Sequence, residues 1–196
     1  MHVRCHPFTS MTPPPAKEAR GLICFQLADF IFGVGCSEVE VDQLTGETKV
    51  LRVDILYDAG KPLNPAVDLG QIEGAFVMGI GMVLREQVIR GDADAEAKAA
   101  DGMHTSGVLW NNGTWEYKLP CSQDVPVDMR VSYLADSRHP RLVLSSKATG
   151  EPPLVLACSV AMAVRDAIAS TRASDSEFFQ MPTPVMVNDI ATLMKL

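Results

Sequence analysis

Polar and apolar positions alternate along "GVGCSEVEVD", Gly33–Asp42, with Cys36 off phase, and the β-branched run "KVLRVDILYD" follows at Lys49–Asp58. A period of two sends successive side chains to opposite faces of a strand. "QLTGET" between the runs supplies a glycine-containing turn, so the pair predicts a β-hairpin. The pattern then changes. In "NPAVDLGQIEGAFVMGIGMVLREQVI", Asn64 is placed to cap a helix and Pro65 to occupy its first position, which predicts a helix running to about Ile89. Further strands are expected in "VDMRVSYLA", 127–135, and "LVLSSK", 142–147. A second, mostly buried helix is expected over Pro153–Arg172, where Leu154, Ala157, Ala161, Val164 and Ile168 recur at helical spacing. A short peripheral helix closes the tail.

Between these elements, "GDADAEAKAADG", 91–102, is acidic and poor in large apolar residues, and reads as an exposed connection. "MHTSGVLWNNGTWEYKLP", 103–120, reads as a loop or hairpin around Asn112 and Gly113. The predicted class is α+β, with mainly antiparallel β-hairpins packed with two long helices. Residues 1–24 hold four prolines within the first twenty positions and are expected to form an extended or partly disordered lead-in to one unit over 25–196.

Gly70, Gly74 and Gly81 fall on one face of the first helix, where each costs about 1 kcal/mol relative to alanine. Such a cost implies something close to the backbone. It could be another packed element or a cofactor, and the glycines alone leave both open.

Composition narrows the function classes. With 196 residues, 47% of them hydrophobic, the chain can bury a core, and its net charge of -7 argues against nucleic acid or anionic membrane as partners, since both need a basic face. The longest apolar stretch, Gly74–Leu84, falls short of a bilayer span, and the N-terminal stretch lacks the apolar segment of a signal peptide. Cys5, Cys24, Cys36, Cys121 and Cys158 are odd in number and widely spaced, without a CxxC. They are read as reduced thiols of a cytoplasmic protein, and no metal-ligand set is assigned. His104 and His139 are read as solvated, and Trp110 and Trp115 as packing residues.

One stretch combines features that do not normally meet. "SSKATGEPPLVLA", 145–157, places Glu151 between a glycine and two prolines where a helix must begin. A carboxylate is favoured at a helix N-terminus, so Glu151 could serve as a plain cap. Glutamate, however, is not among the preferred capping residues, and the paired prolines fix the local backbone. Rigidity is what a positioned general base requires.

That stretch, taken in order with "GVGCSEVEVDQLTGETKVLRVDILYDAG", "NPAVDLGQIEGAFVMGIG" and "TWEYKLP", resembles the C-terminal part of the molybdenum hydroxylases, the family of xanthine dehydrogenase and aldehyde oxidase, over roughly residues 30–172. Xanthine dehydrogenase is the member favoured. The resemblance implies half of a molybdenum-cofactor-binding domain and a two-electron hydroxylation of a heteroaromatic or aldehyde carbon with oxygen from water. It implies that Glu151 is the general base beside the molybdenum, that Gln71 lies near the pterin, and that Gly70, Gly74 and Gly150 permit close approach, with Lys147 and Thr149 around the base. The family carries its iron–sulfur clusters and FAD in other regions, so the molybdenum-pterin cofactor would be shared with a half absent from this chain. Partners implied are the substrate and the remaining domains or subunits, and a second copy of the chain is a further candidate. By itself the chain is expected to be inactive. The alternative is a non-catalytic remnant or interaction module that keeps the fold. One departure is Met78, where the family commonly has glutamine.

Overall fold

A computed structural model describes residues 8–9, 30–90, 107–139, 142–172 and 178–194. Within them, a four-stranded sheet in the order β1 (Phe8–Thr9), β2 (Gly33–Val41), β3 (Thr48–Tyr57) and β4 (Asp128–Tyr133) is packed against helices. The β2–β3 pair is antiparallel, from Gly33 opposite Tyr57 to Val41 opposite Thr48, with a bulge at Glu38/Val39. Its turn is built as the sequence suggests. The Asp42 carboxylate accepts the Leu44 and Thr45 amides at 2.7 and 3.0 Å, and Gly46 takes φ +78°.

β4 runs parallel to β3, pairing Arg52 with Asp128 through Tyr57 with Tyr133. The expectation of mainly antiparallel hairpins is therefore corrected at this edge of the sheet. Parallel neighbours need a crossover, and helix α1 (Pro65–Leu84) lies in the connection between them. Alternation in the sequence shows that a strand has two faces, not which way its neighbour runs.

Helix α1 begins where predicted, with the Asn64 side chain accepting the Val67 amide, but it ends at Leu84 rather than near Ile89. Tertiary contacts draw the chain away there: Arg85 forms an ion pair with Asp124, and the Tyr117 hydroxyl donates to Glu86 at 2.7 Å. The region expected as one helix over 153–172 divides at Ala157 into α2 (Pro153–Leu156) and α3 (Cys158–Ser170). The tail forms α4 (Val187–Leu193), which buries Ile190 and seats its first turn against the hairpin at Gly46.

The inner sheet face buries Val39, Val53, Ile55 and Tyr57 in one core with Ile72, Phe76 and Ile80 of α1 and Val160, Val164 and Ile168 of α3. Contrary to the reading from the longest apolar run, α1 and the 153–170 segment are each long and apolar enough to cross a bilayer. Here their apolar residues are used to cover the sheet.

The strand expected over 142–147 is not formed. Val143–Ser145 make a 3-10 turn with Leu144 and Ser145 at positive φ, and only Ser146 bridges the sheet periphery, opposite Gly60. The backbone hydrogen bonds of this segment go to the loop after β3: Lys61 N–H donates to Ser145 at 2.8 Å, and Lys147 N–H to Ala59 at 3.1 Å.

Candidate functional site

The loop leading into α2 is held at nearly every residue. Lys147 is buried and donates from Nζ to Asp58 at 2.6 Å and to the Phe30 carbonyl at 2.8 Å. The Tyr57 hydroxyl donates to the Ala148 carbonyl at 2.8 Å. Thr149 Oγ1 donates to Asp68 on α1 at 3.1 Å. Gln71, one turn further along α1, reaches Gly150, where a Cβ would lie 3.0 Å from the Gln71 amide oxygen. Beyond the prolines, Gly79 of α1 lets α2 approach so closely that a Cβ would collide with the Leu154 carbonyl and with Ala157. Three consecutive residues, 147–149, and the helix after the glutamate are thus fixed to β3, its following loop and α1.

Glu151 is the exception. Its side chain is exposed, and among the described residues no hydrogen bond or ion pair engages its carboxylate. Only its backbone is used: the Leu154 amide donates to the Glu151 carbonyl at 3.1 Å. A structural cap would instead bond the helix amides.

The glycine face of α1 divides in two. A Cβ on Gly70 or Gly74 would meet nothing within 4 Å, whereas Gly79 and Gly81 are packed, Gly81 against Pro120 and Glu86. Gln71 and Met78 are exposed beside the open glycines, Met78 to 63%. The structure therefore brings Gln71 and Gly150 together, aligns Gly70 and Gly74 on the same uncovered face, and leaves Glu151 at its edge. Two cavities among the described residues lie elsewhere. One of about 350 Å³ sits at the far end of α1 between Ile80, Leu84 and Ile190, and one of about 280 Å³ lies on the outer sheet face between Val34, Cys36 and Arg130. The candidate residues form a wall, not an enclosed pocket.

Asp58, which the sequence reading did not single out, anchors the loop. Burial alone would raise its carboxyl, but hydrogen bonds from Lys147, Ser137 and the Gly60 amide outweigh this and hold it below the usual carboxylate value of 3.8. An acidic residue directly after a buried strand and two residues before a glycine was the available signal. His104 lies outside the described residues, and His139 is half-buried rather than solvated. Trp110 and Trp115 are 57% and 83% exposed and do not pack as expected.

An amide able to donate and accept, beside backbone left bare by two glycines and an unengaged carboxylate, suits one side of a flat, polar heterocycle. The chain belongs to the molybdopterin cofactor-binding domain family, whose model matches residues 10–126, and through it to the molybdenum hydroxylases. Among curated relatives, it is 44% identical over 175 residues to abscisic-aldehyde oxidase of Arabidopsis thaliana, covering 84% of this chain and 12% of that protein. It is 43% identical over 171 residues to probable aldehyde oxidase 3 of Oryza sativa subsp. japonica, again covering 84% and 12%. Among solved structures, quinoline 2-oxidoreductase from Pseudomonas putida 86 superposes with a TM-score of 0.67 at 26% identity, covering 84% of this chain and 19% of that one. The chain thus spans about one-eighth of the length of these curated relatives. The cofactor of its family is the molybdenum-pterin group.

The division of the glycines gives a direct stability test. In the chain alone, Gly70→Ala and Gly74→Ala are each expected to stabilise by up to about 1 kcal/mol, because the helix gains alanine without a clash. Gly79→Ala is expected to destabilise by about 1–3 kcal/mol, because α2 must move. Urea unfolding of the three variants measures both.

Proposed function

We propose that this chain supplies one wall of the molybdopterin site, and the general base, in an oxidoreductase that hydroxylates an aldehyde or heteroaromatic carbon with water-derived oxygen. The observation that carries the reading is the exposed, unengaged Glu151 carboxylate on a loop pinned at residues 147–149, beside the open Gln71 face of α1. When bound, the cofactor accepts the electron pair and activates the water-derived oxygen as a Lewis acid. Glu151 would accept the proton of the water-derived nucleophile. The Gln71 amide orients the pterin edge, and Gly70 and Gly74 leave its backbone approachable. The prolines at 152 and 153 restrict the backbone that carries Glu151.

Aldehydes are favoured over xanthine as the substrate class because the curated relatives described above carry aldehyde oxidase names. The opposite wall of the pocket, the iron–sulfur clusters and FAD then belong to other regions of the assembly, and the wall alone does not turn over substrate. Cytoplasmic placement is part of the same proposal, supported by the thiols of Cys121 and Cys158, neither in a disulfide among the described residues. Gly74→Leu tests the reading. The side chain enters open space in the chain, so folding is retained, while the molybdenum and pterin content of the assembled protein falls by tenfold or more. Unchanged metal and pterin content would refute the cofactor-facing role of α1.

A further inference from the structure

Asp68 is joined to the site by geometry alone. It lies in the first turn of α1, three residues before Gln71, and accepts the Thr149 hydroxyl at 3.1 Å. Its place is fixed from both sides: the Asp68 amide donates to the Asn64 carbonyl at 3.0 Å, and the Tyr133 hydroxyl of β4 donates to Pro65 at 2.7 Å. Burial, followed by the negative charges of Asp68 and Glu73, pushes the Tyr133 phenol above its usual value, so Tyr133 remains a donor. The second Asp68 oxygen is buried and has no hydrogen-bond partner among the described residues. Asp68 is half-buried, and one oxygen kept from water without a partner is unfavourable for stability. What Asp68 does make is a bond across to the residue two positions before Glu151.

We infer that Asp68 is a positioning residue for the general base, latching the Glu151 corner through Thr149 to the same helix turn that presents Gln71 to the cofactor. The inference rests on the function proposed above. The latch matters because α1 and the loop carry different parts of the site. Lys147 and Tyr57 tie the loop to β3 and the loop that follows it, whereas the Thr149–Asp68 bond ties it to α1. Loss of the hydroxyl bond lets the corner drift relative to Gln71 while the buried ion pair still holds the fold. Misplacement of a catalytic group by about 1 Å can cost on the order of 100-fold in rate.

The test uses the assembled holoenzyme carrying Thr149→Val, Thr149→Ser, Asp68→Ala or, as reference, Glu151→Gln. Valine matches threonine in shape and removes only the hydroxyl. Thr149→Val and Asp68→Ala are expected to lower kcat by about 10- to 100-fold with KM and molybdenum content within twofold of wild type. Thr149→Ser is expected to restore most of kcat. Hydrogen exchange at the Leu154 amide, whose acceptor is the Glu151 carbonyl, should quicken in Thr149→Val and return in Thr149→Ser. Wild-type kcat in Thr149→Val, or parallel losses of kcat and molybdenum, would overturn the latch. If Glu151→Gln is inactive while Thr149→Val is not, only the latch fails. If Glu151→Gln keeps full activity, the general-base reading itself fails.

Discussion

Glu151→Gln is expected to lower turnover of the assembled enzyme by roughly 10²–10⁴-fold, the range over which a positioned general base contributes. Molybdenum content and stability should stay at wild-type levels. The expectation follows from what the carboxylate does not do: it is exposed and engages no described residue, and the Leu154 amide bonds the backbone carbonyl, which the substitution retains. A surface change of this kind ordinarily alters stability by no more than about 0.5 kcal/mol. Steady-state kinetics beside metal analysis separates a lost proton acceptor from a lost cofactor. If stability fell instead, Glu151 would be a helix cap and its carboxylate would have a structural partner.

Lys147→Met should produce the opposite pattern, a large loss of stability. Lys147 and Asp58 are 6% and 4% exposed at the side chain and 2.6 Å apart, so removing the cation leaves a buried carboxylate without its counter-charge. Breaking such a pair typically costs about 3–5 kcal/mol, against a total of about 5–15 kcal/mol for a small domain. The double variant Lys147→Met/Asp58→Leu should be less damaged than the single one, since no charge is stranded. The pair also sets a pH dependence. The Asp58 carboxyl is held below its ordinary 3.8, so its stabilising contribution is fully present above that value and is lost as pH falls through the lower folded value. Urea midpoints should therefore fall in wild type as pH drops below about 3.8, and this part of the fall should vanish in the double variant.

The hairpin and the start of α1 could be read from the chain because each is written in local signals: period-two alternation, a glycine turn, and an Asn–Pro helix start. The parallel attachment of β4 could not, because a strand's own pattern does not name its neighbour or its direction. The segment at 142–147 is apolar enough for a strand, yet its backbone partners lie in the loop after β3, nearly 90 residues earlier. The corner at Glu151 stood out because glycine, acid and two prolines rarely coincide. Its supports did not, since the Asp58 and Asp68 contacts span distances in sequence that no periodicity records. The glycines teach the same lesson. Spacing grouped Gly70, Gly74 and Gly81, while space in the fold sets the open Gly70 and Gly74 against the packed Gly79 and Gly81.

The central claim is that α1 and the Glu151 corner together form one wall of a molybdopterin site. An experimental structure of the assembled, cofactor-loaded protein tests it most directly. The account predicts the pterin lying against Gly70, Gln71 and Gly74, with the Glu151 carboxylate turned toward the molybdenum. A cofactor bound away from this face of α1, or a Glu151 side chain directed into solvent with the metal elsewhere, would contradict it.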